Sequence, residues 1–122
     1  MKLIILLLVL WPSVCHAEDF DPVMMCNAIG KAECGRDMKS CLYYFGIRSV
    51  HYADFNEARH ICHNTVRHSR KKWLATHSQV DFLTFLGSTY CPVKGKGLTP
   101  LERRLNVNWV KNVRYWLGRG AK

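Results

Sequence analysis

What this chain lacks confines it first. No stretch alternates between apolar and polar residues for long enough to argue a half-buried strand, which sets β-rich architectures aside. There is no internal repeat and no low-complexity tract, so neither a repeat solenoid nor a biased disordered segment is expected. Acidic residues nearly vanish after Glu57: Ala58–Lys122 holds only Asp81 and Glu102 against thirteen basic residues. The one unbroken apolar run, Leu3–Trp11, falls well short of the roughly 18–20 residues a membrane span needs.

That short run has another use. Lys2 precedes it, Pro12 breaks it, and Cys15-His16-Ala17 ends on a small residue before Glu18-Asp19. Together these have the form of a secretory signal cleaved after Ala17. Residues 18–122 then form one domain of ordinary size with a modest core. Export to an oxidising compartment makes disulfides the natural reading of Cys26, Cys34, Cys41, Cys62 and Cys91. Five is odd, so at most two bridges form within one molecule and one thiol is left over. The expected location is the periplasm.

Charge is divided along the chain. Glu18–Glu57 carries seven acids and four bases, whereas Ala58–Lys122 is net +11. Such asymmetry points to an anionic partner for the second half. Outside the cytoplasm the candidates are an acidic protein surface, phospholipid head groups, cell-wall polymer or DNA in transit. Aromatic residues among arginines also suit base stacking on single strands, but export weighs against nucleic acid.

The remaining pattern is helical, about five helices in an all-α bundle. Asp21-Pro22 is a carboxylate cap before a first-turn proline, and Gly30 or Gly35 should end that helix. A second helix, roughly Asp37–Arg48, is predicted from Met38, Cys41, Leu42 and Phe45 at one-face spacing. A third starts at Asp54, with Glu57 completing a capping box, and should reach about Thr76. Its apolar side is Phe55, Ala58, Ile61, Cys62, Val66, Trp73 and Leu74, opposite a strongly basic side. Ser78 is expected to cap a fourth, apolar nearly all round and so the most buried, closed by Cys91-Pro92. Thr99-Pro100-Leu101-Glu102 opens the fifth, a basic amphipathic helix over 99–118 with Gly118 as its stop.

If helices two and three form a hairpin turning near His51 or Tyr52, Cys41 and Cys62 lie at equal heights on facing stripes. The expected bridge is therefore Cys41–Cys62. Cys91 could then reach Cys26, leaving Cys34 unpaired.

No catalytic constellation emerges, and neither a cofactor nor a metal is expected. His60, Cys62 and His63 fit no zinc spacing. Cys34 has no local nucleophile motif. Glu57 and Glu102, the only acids on the long helices that could serve a cell-wall hydrolase, are better read as capping residues. The binding candidates are the cations Arg67, Arg70, Lys71, Lys72, Arg103, Arg104, Lys111 and Arg114. The last helix, with Trp109, Tyr115 and Trp116 among its arginines, could also lie on an anionic membrane.

One ordered pattern spans about Asp19–Pro92. It runs Asp21-Pro22, Met25-Cys26, Gly30, a cysteine before Tyr44-Phe45-Gly46-Ile47, Phe55-Asn56 with Ala58-Arg59, Phe85-Leu86 and Cys91-Pro92. It resembles the TrbM/KikA family of conjugal-transfer proteins, small exported proteins encoded among type IV secretion genes of plasmids. Val23 stands where that family has its first cysteine, neither Cys34 nor Cys41 has the family's spacing to Tyr44-Phe45, and the basic segment from Thr99 is an addition. The resemblance implies a periplasmic accessory role in conjugation, with a link to host-cell killing, and no catalytic residue. The expected function is binding to a secretion component or the envelope; the alternative is an exported toxin acting through the basic last helix.

Overall fold

A computed structural model describes residues 21–48, 50–76, 79–90 and 96–120. The architecture is an all-helical bundle of four α-helices, α1 (Pro22–Cys34), α2 (Phe55–Ala75), α3 (Phe82–Tyr90) and α4 (Pro100–Gly120), with no strand among the described residues. Two short 3-10 turns, Met38–Ser40 and Tyr44–Gly46, fill the α1–α2 connection.

Each helix start obeys its local sequence. The Asp21 carboxylate accepts the Val23 N–H at 2.8 Å, and Pro22 occupies the first turn. Asp54 accepts from Glu57 N–H at 2.8 Å, while Glu57 reaches back to the Ala53 N–H. Thr99 and Glu102 form a reciprocal box, with bonds of 3.1 and 2.7 Å. These contacts satisfy amide donors that a helix leaves open in its first turn. At α3 the cap is Asp81, which takes the Thr84 N–H at 3.0 Å and the Thr84 hydroxyl at 2.8 Å. The expected cap, Ser78, lies outside the described residues. At the far ends, α1 stops at Gly35 (φ 75°), and α4 continues past Gly118 to Gly120.

The expected helix over Asp37–Arg48 is absent. Of its presumed apolar face only Phe45 is buried, and Leu42 is 83% exposed. The backbone turns left-handed at Phe45 (φ 55°) and Gly46 (φ 67°), with Ile47 N–H donating to Tyr44 O at 3.1 Å. An isolated helix of that length is marginal in water. The turn instead drives Phe45 and Ile47 into the core, the Phe45 ring 5.3 Å from that of Phe55. Gly30, in mid-helix, lets this happen: a Cβ there would fall 3.1 Å from the Phe45 ring. The Tyr90 hydroxyl donates to the Phe45 carbonyl, tying α3 to the turn.

Both disulfide expectations change with that segment. Cys26 pairs with Cys62, joining α1 to α2 with Cα atoms 6.0 Å apart. Cys34 pairs with Cys41 at 5.3 Å, closing the chain after α1. Cys41–Cys62 required two facing helices, and Cys41 is not on one. Cys34 is therefore not the unpaired thiol, and Cys26 is not available to Cys91, which lies outside the described residues.

The core is built around α1, not α3 as its apolar sequence suggests. α1 packs on α4, on α2 and on the Phe45 turn, burying Met25, Cys26, Ala28, Ile29 and Gly30. α2 contributes Ala58, Cys62, Val66 and Ser69; α3 gives Leu83, Leu86 and Gly87; α4 gives Trp109 and Val113. Leu74, expected on the buried side of α2, is 55% exposed. The Trp109 indole stacks on Tyr90 at 5.3 Å and donates to the Glu33 carboxylate at 2.8 Å, so a buried N–H is paired.

Candidate functional site

The cations named from sequence divide between two helices that lie across the bundle from one another, each packed on α1 and α3. On α2, Arg67, Lys71 and Lys72 are exposed and Arg70 is half-buried. On α4, Arg103, Arg104, Lys111 and Arg114 are exposed. They make two basic faces rather than one continuous surface. Arg114 meets Asp81 at 3.4 Å, a solvent-exposed pair of small energetic weight.

The described carboxylates are exposed as well, and each has a partner. Asp21, Asp37, Asp54, Glu57, Asp81 and Glu102 each accept backbone amides at helix or turn starts, and Glu33 holds the Trp109 indole. For Asp81, partial desolvation pushes its pKa up, but the bonds from Thr84 and the charge of Arg114 outweigh it, and the net shift is downward. Glu102 is lowered by the backbone and hydroxyl bonds of Thr99 against slight desolvation, with Arg48 adding to the effect. Both hydrolase candidates, Glu57 and Glu102, are thus capping groups.

Cys34 is bonded, which removes it as a nucleophile. The rings of His60 and His63 are 6.3 Å apart at a steep angle. Among the described residues no three metal-ligating side chains converge. Burial lowers the pKa of His63, and Arg67, Arg59 and His60 act in the same direction against Asp21. Its Nε2 is buried without a partner.

The tryptophans of α4 face inward. Trp109 is buried and Trp116 half-buried under the Lys31 ammonium, 5.5 Å from the ring centre; Tyr115 is exposed beneath Arg119. The start of α4 behaves otherwise. Leu101 and Leu105 continue the buried line of Trp109 and Val113, four residues per step, yet are 55% and 59% exposed. Arg103 and Arg104 lie between them in sequence. No described helix is long and apolar enough to cross a membrane.

Sequence reasoning missed one feature. A cleft of about 550 Å³ opens between α2 and α3, lined by Asn64, Thr65, His68, Ser69, Lys72, Leu86, Thr89 and Tyr90. The available signal was a polar stripe, Asn64, His68 and Lys72, at i, i+4, i+8 beside a serine on the apolar line of α2. The search for apolar faces passes over such a stripe.

The chain matches no protein-family model, no curated protein and no solved structure.

Proposed function

We propose that this chain is an exported, periplasmic accessory protein of plasmid conjugation and type IV secretion, acting by binding rather than by catalysis. Its signal is removed after Ala17, and its basic faces engage an acidic surface of a secretion component or the envelope. The observation that carries the binding reading is the division of charge. The described carboxylates are exposed but each is tied to a cap, a turn or the Trp109 contact, while exposed cations outnumber acids on α2 and α4. Two disulfides support export, because such bridges persist in oxidising compartments. The conjugation role rests on the sequence resemblance across Asp19–Pro92.

A second reading, an exported toxin that perturbs membranes, is favoured by the uncovered start of α4, where Leu101 and Leu105 lie beside Arg103 and Arg104.

Cross-linking in the native envelope, followed by non-reducing mass spectrometry, tests both. Capture of secretion components that is lost with Arg67→Glu/Lys71→Glu supports the first reading. Capture of lipid alone, with dye leakage from anionic vesicles abolished by Leu101→Glu/Leu105→Glu, replaces it with the second.

A further inference from the structure

We propose that the cleft between α2 and α3 is a binding site for a small amphiphilic anion, a single apolar chain bearing a carboxylate or phosphate head. Its volume, about 550 Å³, is within the range of small-molecule sites. The proposal is independent of the role in secretion and stands on how the two walls are made.

Asn64, His68 and Lys72 lie one above another along α2, a ladder about 12 Å long at 1.5 Å per residue. Each offers a side-chain donor, and none is engaged in a side-chain hydrogen bond or ion pair among the described residues. Thr65 and Thr89 differ: their hydroxyls donate to the Ile61 and Phe85 carbonyls of their own helices. Ser69 lies on the floor. It is 7% exposed, on a line whose other buried members are Ala58, Cys62 and Val66. Its hydroxyl makes no hydrogen bond among the described residues, and a ligand oxygen at that point would give it a partner. Leu86, fully buried, and the Tyr90 ring supply the apolar part of the floor.

Charge selects the ligand. From Ala58 to Ala75, α2 contains no carboxylate and carries Arg59, Arg67, Arg70, Lys71 and Lys72; α3 contains none either. The acid nearest in sequence to the α3 wall, Asp81, is held by Thr84 and Arg114. A cationic ligand meets only like charge here, whereas an anionic head meets Lys72 and the donors of His68 and Asn64, all exposed along the cleft, in charge-assisted bonds. The apolar tail then lies against the partly exposed Tyr90 ring.

The test is an amide NMR titration of the exported, disulfide-bonded chain with decanoate, decyl phosphate, decyltrimethylammonium and inorganic phosphate. Decanoate or decyl phosphate should shift the amides of residues 64–72 and 86–90, and the ammonium and inorganic phosphate should not. Shifts with both anions mean that head charge alone is read; shifts with one assign the head chemistry. Lys72→Glu should weaken binding by about tenfold or more, the scale of a charge-assisted bond. Lys71→Glu, one residue away and outside the cleft, should change it by about twofold or less, as a solvated surface charge does. Thr89→Trp, which fills the cleft from its exposed rim, should abolish the shifts while leaving the rest of the spectrum in place. Equal binding of decyltrimethylammonium, equal losses in the two lysine variants, or shifts confined to α4 would each overturn the proposal.

Discussion

Removing the disulfides one at a time should separate two cross-links of unequal weight. Cys26–Cys62 spans a sequence separation of 36 and Cys34–Cys41 one of 7. Loop-closure entropy then assigns about 3.8 kcal/mol to the first and about 2.5 kcal/mol to the second at 25 °C. The inner bridge lies within the outer loop, but the logarithm makes this shortcut worth only about 0.2 kcal/mol. Packing widens the gap. Cys26 and Cys62 are both fully buried, so truncation to alanine also removes two core sulfurs and leaves cavity behind, whereas Cys34 and Cys41 are half-exposed. Cys26→Ala/Cys62→Ala should therefore cost about 4–6 kcal/mol and Cys34→Ala/Cys41→Ala about 2–3 kcal/mol. Urea denaturation followed by far-UV circular dichroism reads both. The m-value should rise more for the outer pair, since its removal lets the denatured chain expand further. Equal costs, or a greater cost for the inner pair, would refute the reasoning, as would a Cys41–Cys62 peptide in a non-reducing digest.

Three further outcomes follow from single sites. Gly46→Ala should destabilise by about 2–3 kcal/mol in thermal or urea unfolding, since the left-handed backbone alone costs about 1–2 kcal/mol for a residue with a Cβ. The new methyl would also lie 2.8 Å from the Glu33 carboxyl carbon, displacing the group that holds Trp109; in a Glu33→Ala background the Gly46→Ala cost should shrink to the backbone part. His63 binds a proton more weakly folded than unfolded, so the fold is favoured above the ordinary histidine value of about 6.5 and loses stability as pH falls from there through the lowered folded value. His63→Leu should flatten that part of a stability–pH curve, and an unchanged curve would assign the dependence elsewhere. Thr99→Ala should fray the uncovered start of α4, raising hydrogen exchange at residues 100–105 while the amides near Val113 stay protected.

Helix starts were legible because a cap is a local contract. Asp21-Pro22, Asp54 with Glu57, and Thr99-Pro100 with Glu102 need only neighbours within three residues, and all three form. The apolar line of α2 was legible for the same reason at Ala58, Cys62 and Val66. The segment Met38–Phe45 shows where this reasoning fails. Its spacing fits a helix, yet Leu42 faces solvent and Cys41 bonds to Cys34, because the energetic decision lay with partners distant in sequence: Gly30, Phe55 and Tyr90 around one buried phenyl ring. The disulfide pairing failed with it, since registers across a hairpin mean nothing once one arm is not a helix. The cleft was overlooked because its walls meet only when α3 folds back on α2.

By itself the sequence determined that the chain is helical, where three of its four helices begin, and how unevenly its charge is placed. Each of these depends on periodicity, on capping within a turn, or on composition. Tertiary structure alone decided which cysteines meet, that α1 rather than the most apolar helix occupies the centre, and that the cations form two faces instead of one. Those outcomes depend on which surfaces pack, and packing compares free energies over the whole molecule. No window of neighbouring residues contains that comparison.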